Sequence, residues 1–201
     1  MIKKYAIYCS GGASRALLFF KKNNIVDFPI QFILYDGKRP NVSSELFNKF
    51  GDRLIDVKNN VNPSDLLFEN LIKYDVDYLF CFGDRILKGE ILKVFKNKII
   101  NFHPSLLPSF PGLNAIDKAL ATSVQVLGNT AHFIDEGIDT GPIIMQSLIS
   151  RNSYSCYEDV LSMQIIMLEK IWKLLDANKI MVINNMVEIN YRVSKQNFFT
   201  I

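Results

Sequence analysis

Two spacings of apolar residues alternate along this chain. Tyr5-Ala6-Ile7-Tyr8, Pro29-Ile30-Gln31-Phe32-Ile33-Leu34-Tyr35 and Tyr78-Leu79-Phe80-Cys81-Phe82 are apolar at nearly every position. Such short continuous runs suit strands buried on both faces of a parallel sheet. Between them come helix-like segments, Ala16 to Lys22, Ser44 to Phe50 and Asp65 to Tyr74. In the last, Leu66, Leu67, Leu71 and Ile72 make one apolar face, and Asn62 or Ser64 begins the helix. Asp36 to Asn41 and Asn59 to Pro63 are polar connectors, and Arg53 to Val57 is a weaker third strand. Strands and helices in alternation predict βαβ units with right-handed crossovers. The expected fold is therefore α/β and Rossmann-like: a doubly wound, mostly parallel sheet with helices on both faces, formed by residues 1–201 as a single domain.

The pattern continues past the middle of the chain. Lys98-Ile99-Ile100 starts a strand that delivers Asn101 and His103 and stops at Pro104. Asn114 to Ala121 reads as a helix, and Gln125 to Phe133 and Ile143 to Ile149 read as strands. A long helix, Tyr157 to Leu175, carries an apolar stripe of Val160, Leu161, Met163, Ile166, Met167, Ile171 and Leu174. Ile180 to Ile183 and Val187 to Tyr191 form a hairpin across Asn184-Asn185. The tail after Val193 carries little information.

Charge and cysteine usage exclude several classes of function. The net charge is only +3, and the lysines are scattered, leaving no stripe for nucleic acid and no polybasic patch for a membrane. Cys9, Cys81 and Cys156 lie far apart, without a Cys-x-x-Cys. That usage fits a reducing compartment, and neither a disulfide framework nor a structural zinc. Met1-Ile2-Lys3-Lys4 leads straight into a strand, with no signal peptide and no run of about twenty apolar residues. We expect a cytoplasmic protein, monomer or homodimer, with small-molecule partners.

Chemistry concentrates at two strand ends. Residues i and i+2 of a strand share a face, so Asn101 and His103 project together from a carboxyl end, where open α/β sheets hold their ligands. The apolar, stiff loop Leu107-Pro108-Ser109-Phe110-Pro111-Gly112 that follows makes a good pocket wall. After the first strand, Ser10-Gly11-Gly12-Ala13-Ser14-Arg15 precedes a helix, an arrangement that presents backbone N–H groups to an anion. It lacks the three glycines of the dinucleotide fingerprint, and a tight turn with Ser14 as helix cap fits as well. Arg15 is either a phosphate partner or a solvated residue. His132 reads as a packed strand residue with one satisfied nitrogen, and two histidines with dispersed cysteines supply no metal set.

Three segments taken together resemble the folate-dependent formyltransferases, most closely those of purine biosynthesis. They are Asn101-x-His103-Pro104-Ser105-Leu106-Leu107-Pro108, Phe110-Pro111-Gly112-Leu113, and His132-Phe133-x-x-Glu136-x-x-Asp139-x-Gly141-Pro142-Ile143-Ile144. The resemblance is close from Asp84 to Gln146 and weak in the first third. It implies catalysis by Asn101, His103 and Asp139 without a metal. It implies a folate site at Arg85, Ile86 and Leu87 and in the loop Asp135, Glu136, Gly137 and Ile138. It places the acceptor at Gly12, Ala13, Ser14, Arg15, Asp84, Gly112 and Glu169, and Leu107–Pro108 in the cis form.

The reaction implied moves a formyl group from 10-formyltetrahydrofolate to the primary amine of 5′-phosphoribosylglycinamide. An amino-sugar nucleotide as acceptor, or a non-catalytic folate- or nucleotide-binding module, are the alternatives. In such an acyl transfer Asn101 donates N–H groups to the formyl oxygen, and His103 donates to the oxyanion and exchanges a proton. Asp139, beside it, is expected to favour the charged imidazole. The family's phosphate loop reads Gly-Asn-Gly-Ser-Asn where this chain has Gly11-Gly12-Ala13-Ser14-Arg15, Asp84 replaces its methionine, and residues 64–74 lack its arginine.

Overall fold

The structure, a computed structural model, describes residues 2–11, 13–23, 29–37, 44–57, 61–151 and 157–190. In chain order the elements are β1 (Tyr5–Cys9), α1 (Ser14–Asn23), β2 (Ile30–Tyr35), α2 (Ser44–Phe50), a 3-10 turn (Gly51–Arg53), β3 (Leu54–Asp56), α3 (Pro63–Lys73), β4 (Tyr78–Phe82), α4 (Glu90–Val94) and β5 (Ile99–His103). There follow α5 (Ala115–Leu120), β6 (Val126–Phe133), β7 (Ile143–Ser150), α6 (Tyr157–Asp176), β8 (Ile180–Ile183) and β9 (Met186–Ile189). The main sheet has the order β3-β2-β1-β4-β5-β6-β7. The first five of these are parallel, and β6 and β7 extend the sheet antiparallel. β8 and β9 form the expected hairpin. The predicted fold class holds.

Alternation in the strands divides the interior into two cores. Ile7, Phe80, Ile100 and Phe102 face α1 and α6, meeting Phe19, Ile165, Leu168 and Ile171. Ala6, Leu79, Cys81 and Ile99 face α3 and α4, meeting Leu67, Leu71 and Ile91. Asn101 and His103 follow Ile99 by two and four residues, so both belong to the α3/α4 side. Their position at the end of β5 carries them past the core to its edge.

Where the sequence reading misses, the cause is rotation of a helix about its axis. Ile72, expected in the α3 face, is 56% exposed, while Asn70 is buried beside Leu67 and Leu71. Asn62 is the α3 cap, its side chain accepting the Ser64 N–H at 3.0 Å. On α6 the buried face is Val160, Gln164, Ile165, Met167, Leu168, Ile171 and Leu175. Leu161, Met163, Ile166 and Leu174 flank it instead. An apolar-rich helix offers several stripes, and only packing selects one. The short α4 has too few turns to show a period and was not anticipated.

Candidate active site

Strand order reverses between β1 and β4, which opens a crevice beyond their carboxyl ends. Ser10 closes the near side, its N–H donating to the Phe82 carbonyl at 3.3 Å. Further along this edge, β5 and β6 pair so that Asn101 lies opposite His132, and His103 opposite Thr130. Directly opposed residues share a face of the sheet. The antiparallel addition of β6 therefore brings a second imidazole to the Asn101–His103 pair.

Four side chains converge there. Asn101 Nδ2 is 3.2 Å from His132 Nε2. Asp139 puts Oδ2 3.3 Å from His103 Nδ1 and Oδ1 3.5 Å from His132 Nε2. His132 Nδ1 donates to the Phe133 carbonyl at 2.9 Å, and His103 Nε2 donates to the Phe110 carbonyl at 2.9 Å. These carbonyl partners select the tautomers. Asp139 and Phe110 both hold positive φ, +55° and +54°, a conformation uncommon outside glycine. The first aims a carboxylate between two rings, and the second turns a carbonyl onto His103.

Neighbouring loops fix this geometry. The Gly112 N–H donates to Asp139 Oδ2 at 2.8 Å, joining the loop after β5 to the loop after β6. Ser105 donates to the Ser109 carbonyl at 2.6 Å, and Thr130 Oγ1 accepts the Leu107 N–H at 2.9 Å while donating to the Ser105 carbonyl at 2.7 Å. Leu107–Pro108 is cis. Asp135 folds the loop after β6 by accepting from the Gly137 N–H and the Thr140 hydroxyl, at 3.0 and 2.8 Å. Glu136, Gly137 and Ile138 are exposed at its tip. A Cβ on Gly141 would lie 1.9 Å from the Phe133 carbonyl oxygen, so only glycine allows the loop to return this closely.

The electrostatics correct one expectation. Burial pushes the His103 pKa below its ordinary value, outweighing the Phe110 carbonyl and the Asp139 carboxylate, which both act to raise it. Asp139 is lowered too, but against the effect of burial. Burial alone would raise it, but the His132 ring beside it, the hydrogen bond from the Gly112 N–H and the nearby His103 together hold the carboxyl below its usual range. The cluster thus rests as a neutral His103 ring facing a carboxylate.

On the opposite side of the sheet edge, Arg15 lies over the Phe82 ring, 5.7 Å from its centre. Its guanidinium reaches the Phe82 carbonyl at 3.3 Å, and Ser10 Oγ and Gln164 Oε1 at 3.5 Å. Among the described residues no carboxylate pairs with it. Gln164, fully buried on α6, donates from Nε2 to the Phe102 carbonyl at 2.9 Å. Phe102 stands between Asn101 and His103, so one glutamine links Arg15 to β5.

Other expected site residues lie apart from the Asn101, His103, His132 and Asp139 cluster. Glu169 pairs with Lys173 at 2.5 Å on an outward face of α6. Five residues from Gln164 is about 140° around a helix, so the two cannot serve one site from one face. Ser14 is the first helical residue and not a cap, and Ala13 before it carries φ +57°. Asp84 is exposed, Arg85 turns toward Asp36, and Gly12 lies outside the described residues. Reading the sequence undervalued His132 and passed over Gln164. A polar residue in register with Leu168, Ile171 and Leu175 was the available signal.

An apolar cleft of about 270 Å³ lies behind the loop after β5, between Leu106, Phe110, Ile116, Leu127 and Val160. Its walls hold no ionisable group, which directs attention to the polar cluster. Among the described residues, no three His, Cys, Asp or Glu side chains form a metal-holding group, and no helix is long and apolar enough to cross a membrane.

Comparison with known proteins places the chain in a family. Residues 38–154 match the formyl transferase family model. Phosphoribosylglycinamide formyltransferase of Bacillus subtilis (strain 168) is 32% identical over 166 residues, covering 79% of this chain and 85% of that protein. The crystal structure of phosphoribosylglycinamide formyltransferase from Anaplasma phagocytophilum superposes with a TM-score of 0.82 at 26% identity, over 96% of this chain and 97% of that one. That of glycinamide ribonucleotide transformylase 1 from Symbiobacterium toebii gives 0.79 at 28% identity, over 94% of each.

Proposed function

This chain belongs to the formyl transferase family, and from that membership we propose that it moves a formyl group from 10-formyltetrahydrofolate to the primary amine of 5′-phosphoribosylglycinamide. It is a folate-dependent enzyme of one-carbon transfer, and its relatives belong to purine biosynthesis. The observation that carries the finer reading is the convergence of Asn101, His103, His132 and Asp139 at a sheet edge that also holds an arginine without a carboxylate partner among the described residues.

Formyl transfer needs a donor to the developing oxyanion and a route for protons. Asn101 serves the first need through Nδ2, which His132 Nε2 holds in place. His103 serves both. It presents the Nε2 proton, given to the Phe110 carbonyl in this structure, and it gains charge as protons move. Asp139 stabilises that charge at Nδ1 and remains ionised because its own pKa is depressed. The folate donor supplies the carbon. The fit for its pterin is the backbone of Arg85, Ile86 and Leu87, whose N–H and C=O groups have no partner among the described residues although Leu87 is only 3% exposed.

Arg15 takes the acceptor's phosphate. Its planar fork matches a phosphate, and its present contacts at 3.3–3.5 Å are long for hydrogen bonds. Its place across the sheet edge from His103 leaves the amine end of an extended substrate directed to the cluster. The assay is consumption of 10-formyltetrahydrofolate with 5′-phosphoribosylglycinamide, beside a panel of amino-sugar nucleotides, for the wild type and Arg15→Ala. Turnover of the first with a KM raised at least about tenfold in the variant supports the reading, since charged hydrogen bonds contribute roughly 1.5–3 kcal/mol. Turnover confined to an amino-sugar nucleotide, or none at all, defeats it.

A further inference from the structure

Neither the catalytic cluster nor the acceptor end uses a third polar group at this edge. Asp36 directly follows β2, and its carboxylate is 3% exposed. Oδ2 accepts a hydrogen bond from the Tyr8 hydroxyl at 2.5 Å and faces Arg85 Nε at 3.1 Å. Tyr8 is fully buried on the α3/α4 side. Its ring lies so close to Gly83 that a Cβ there would come within 2.1 Å of it. Burial, and then the bond to Asp36, push the phenol pKa up, so the hydroxyl stays a donor.

The partner on the other side is the loop after β4. Arg85 also donates from Nη1 to the Val61 carbonyl at 3.3 Å, Leu87 is anchored in the α3/α4 core, and the Lys88 N–H donates to Ser64 Oγ at 3.0 Å. Between these clips Ile86 is 64% exposed. A buried carboxylate needs its cation, so Asp36 and Arg85 constrain each other. A loop held in its bound geometry before binding does not have to be ordered by the ligand.

We infer that Asp36 is a positioning residue of the formyl-donor site, gripping Arg85 so that the backbone of Arg85 to Leu87 is preset against the pterin, with Tyr8 aiming the carboxylate. This rests on the proposed assignment of the donor to that backbone. Asp36 touches neither substrate. Its effect therefore falls on donor affinity, and the acceptor end and the chemistry do not feel it.

The test uses the full chain and 5-formyltetrahydrofolate, a stable reduced folate that serves as the binding probe, by calorimetry. Steady-state KM values for both substrates accompany it, and melting temperatures confirm folding. Asp36→Asn and Arg85→Ala are each expected to raise the probe Kd about tenfold, the order set by loss of one ordered residue. The double variant should be no worse than either single one. Asp36→Glu should recover part of the affinity, and Tyr8→Phe should move it in the same direction by less. The acceptor KM, and kcat at saturating donor, should stay within about twofold if Asp36 acts only on preorganisation. An unchanged probe Kd in Asp36→Asn, or a parallel rise in acceptor KM, overturns the inference and leaves the proposed function standing. Should Asp36→Asn fail to fold, Arg85→Ala, whose side chain is 41% exposed, carries the binding outcome, and an unchanged probe Kd in it overturns the inference. A wild type that binds no folate at all sinks the functional reading and this inference with it.

Discussion

Replacing Asp139 by asparagine keeps the shape of the side chain and deletes its charge. The carboxylate lies 3.3 Å from His103 Nδ1, with the two side chains 13% and 6% exposed. Between unit charges at that distance the attraction is about 1 kcal/mol in bulk water and about 5 kcal/mol at the effective dielectric of a protein site. The low exposure of both groups places the pair toward the larger figure. That attraction appears only when His103 is charged, which the neutral resting ring is not, so its loss raises the barrier more than it weakens ground-state binding.

For a proton-transfer partner the expected loss in kcat is roughly 10²–10⁴-fold. The assay is initial-rate consumption of 10-formyltetrahydrofolate from pH 5 to 9, giving kcat and both KM values for the wild type and Asp139→Asn. Both KM values should remain within about threefold, because uniform binding is not what the carboxylate supplies. Any acid limb due to ionisation of the carboxylate should vanish. A kcat within tenfold of the wild type, or a collapse in donor affinity with kcat retained, refutes this role for Asp139.

Stability should follow the depressed His103 pKa. In the window between the folded value and the unfolded value, about 6.5, the unfolded chain binds more protons, so stability rises with pH there and falls on acidification. Asp139, whose folded pKa is also depressed, acts in the same sense at lower pH: its support is complete above the unfolded carboxyl range and is lost as pH falls through its lowered folded value. Urea midpoints of wild type and His103→Gln between pH 8 and 5 separate the two. A slope unchanged in the variant means His103 is not its source. Gly141→Ala, which puts a Cβ against the Phe133 carbonyl, should destabilise the fold by about 2 kcal/mol or more and lower kcat by moving Asp139; wild-type melting with wild-type kcat would contradict the close approach. Glu169→Gln should change kcat/KM less than about twofold, since an exposed i,i+4 pair contributes at most about 0.5 kcal/mol. A tenfold loss would restore Glu169 to the site.

The chain's own order determined the repeating strand–helix units and the joint projection of Asn101 and His103. Both follow from periods of two and 3.6 residues, and each is settled within a few positions of the chain. It also placed an acidic loop with Asp139 near that strand, because three separated segments together resembled one family. Tertiary structure decided which groups meet. His132 reaches Asn101 across 31 residues only because β6 runs antiparallel in one particular register. Arg15 meets Gln164 across 149 residues because α6 turns that face, and not Glu169, toward the sheet. Even the direction of the His103 pKa was decided there. Its carboxylate neighbour is legible from motif spacing, but the burial that outweighs it comes from loops folded over the ring. Local pattern specifies what a residue can do; long-range packing sets its partners and dielectric, and these determine what it does.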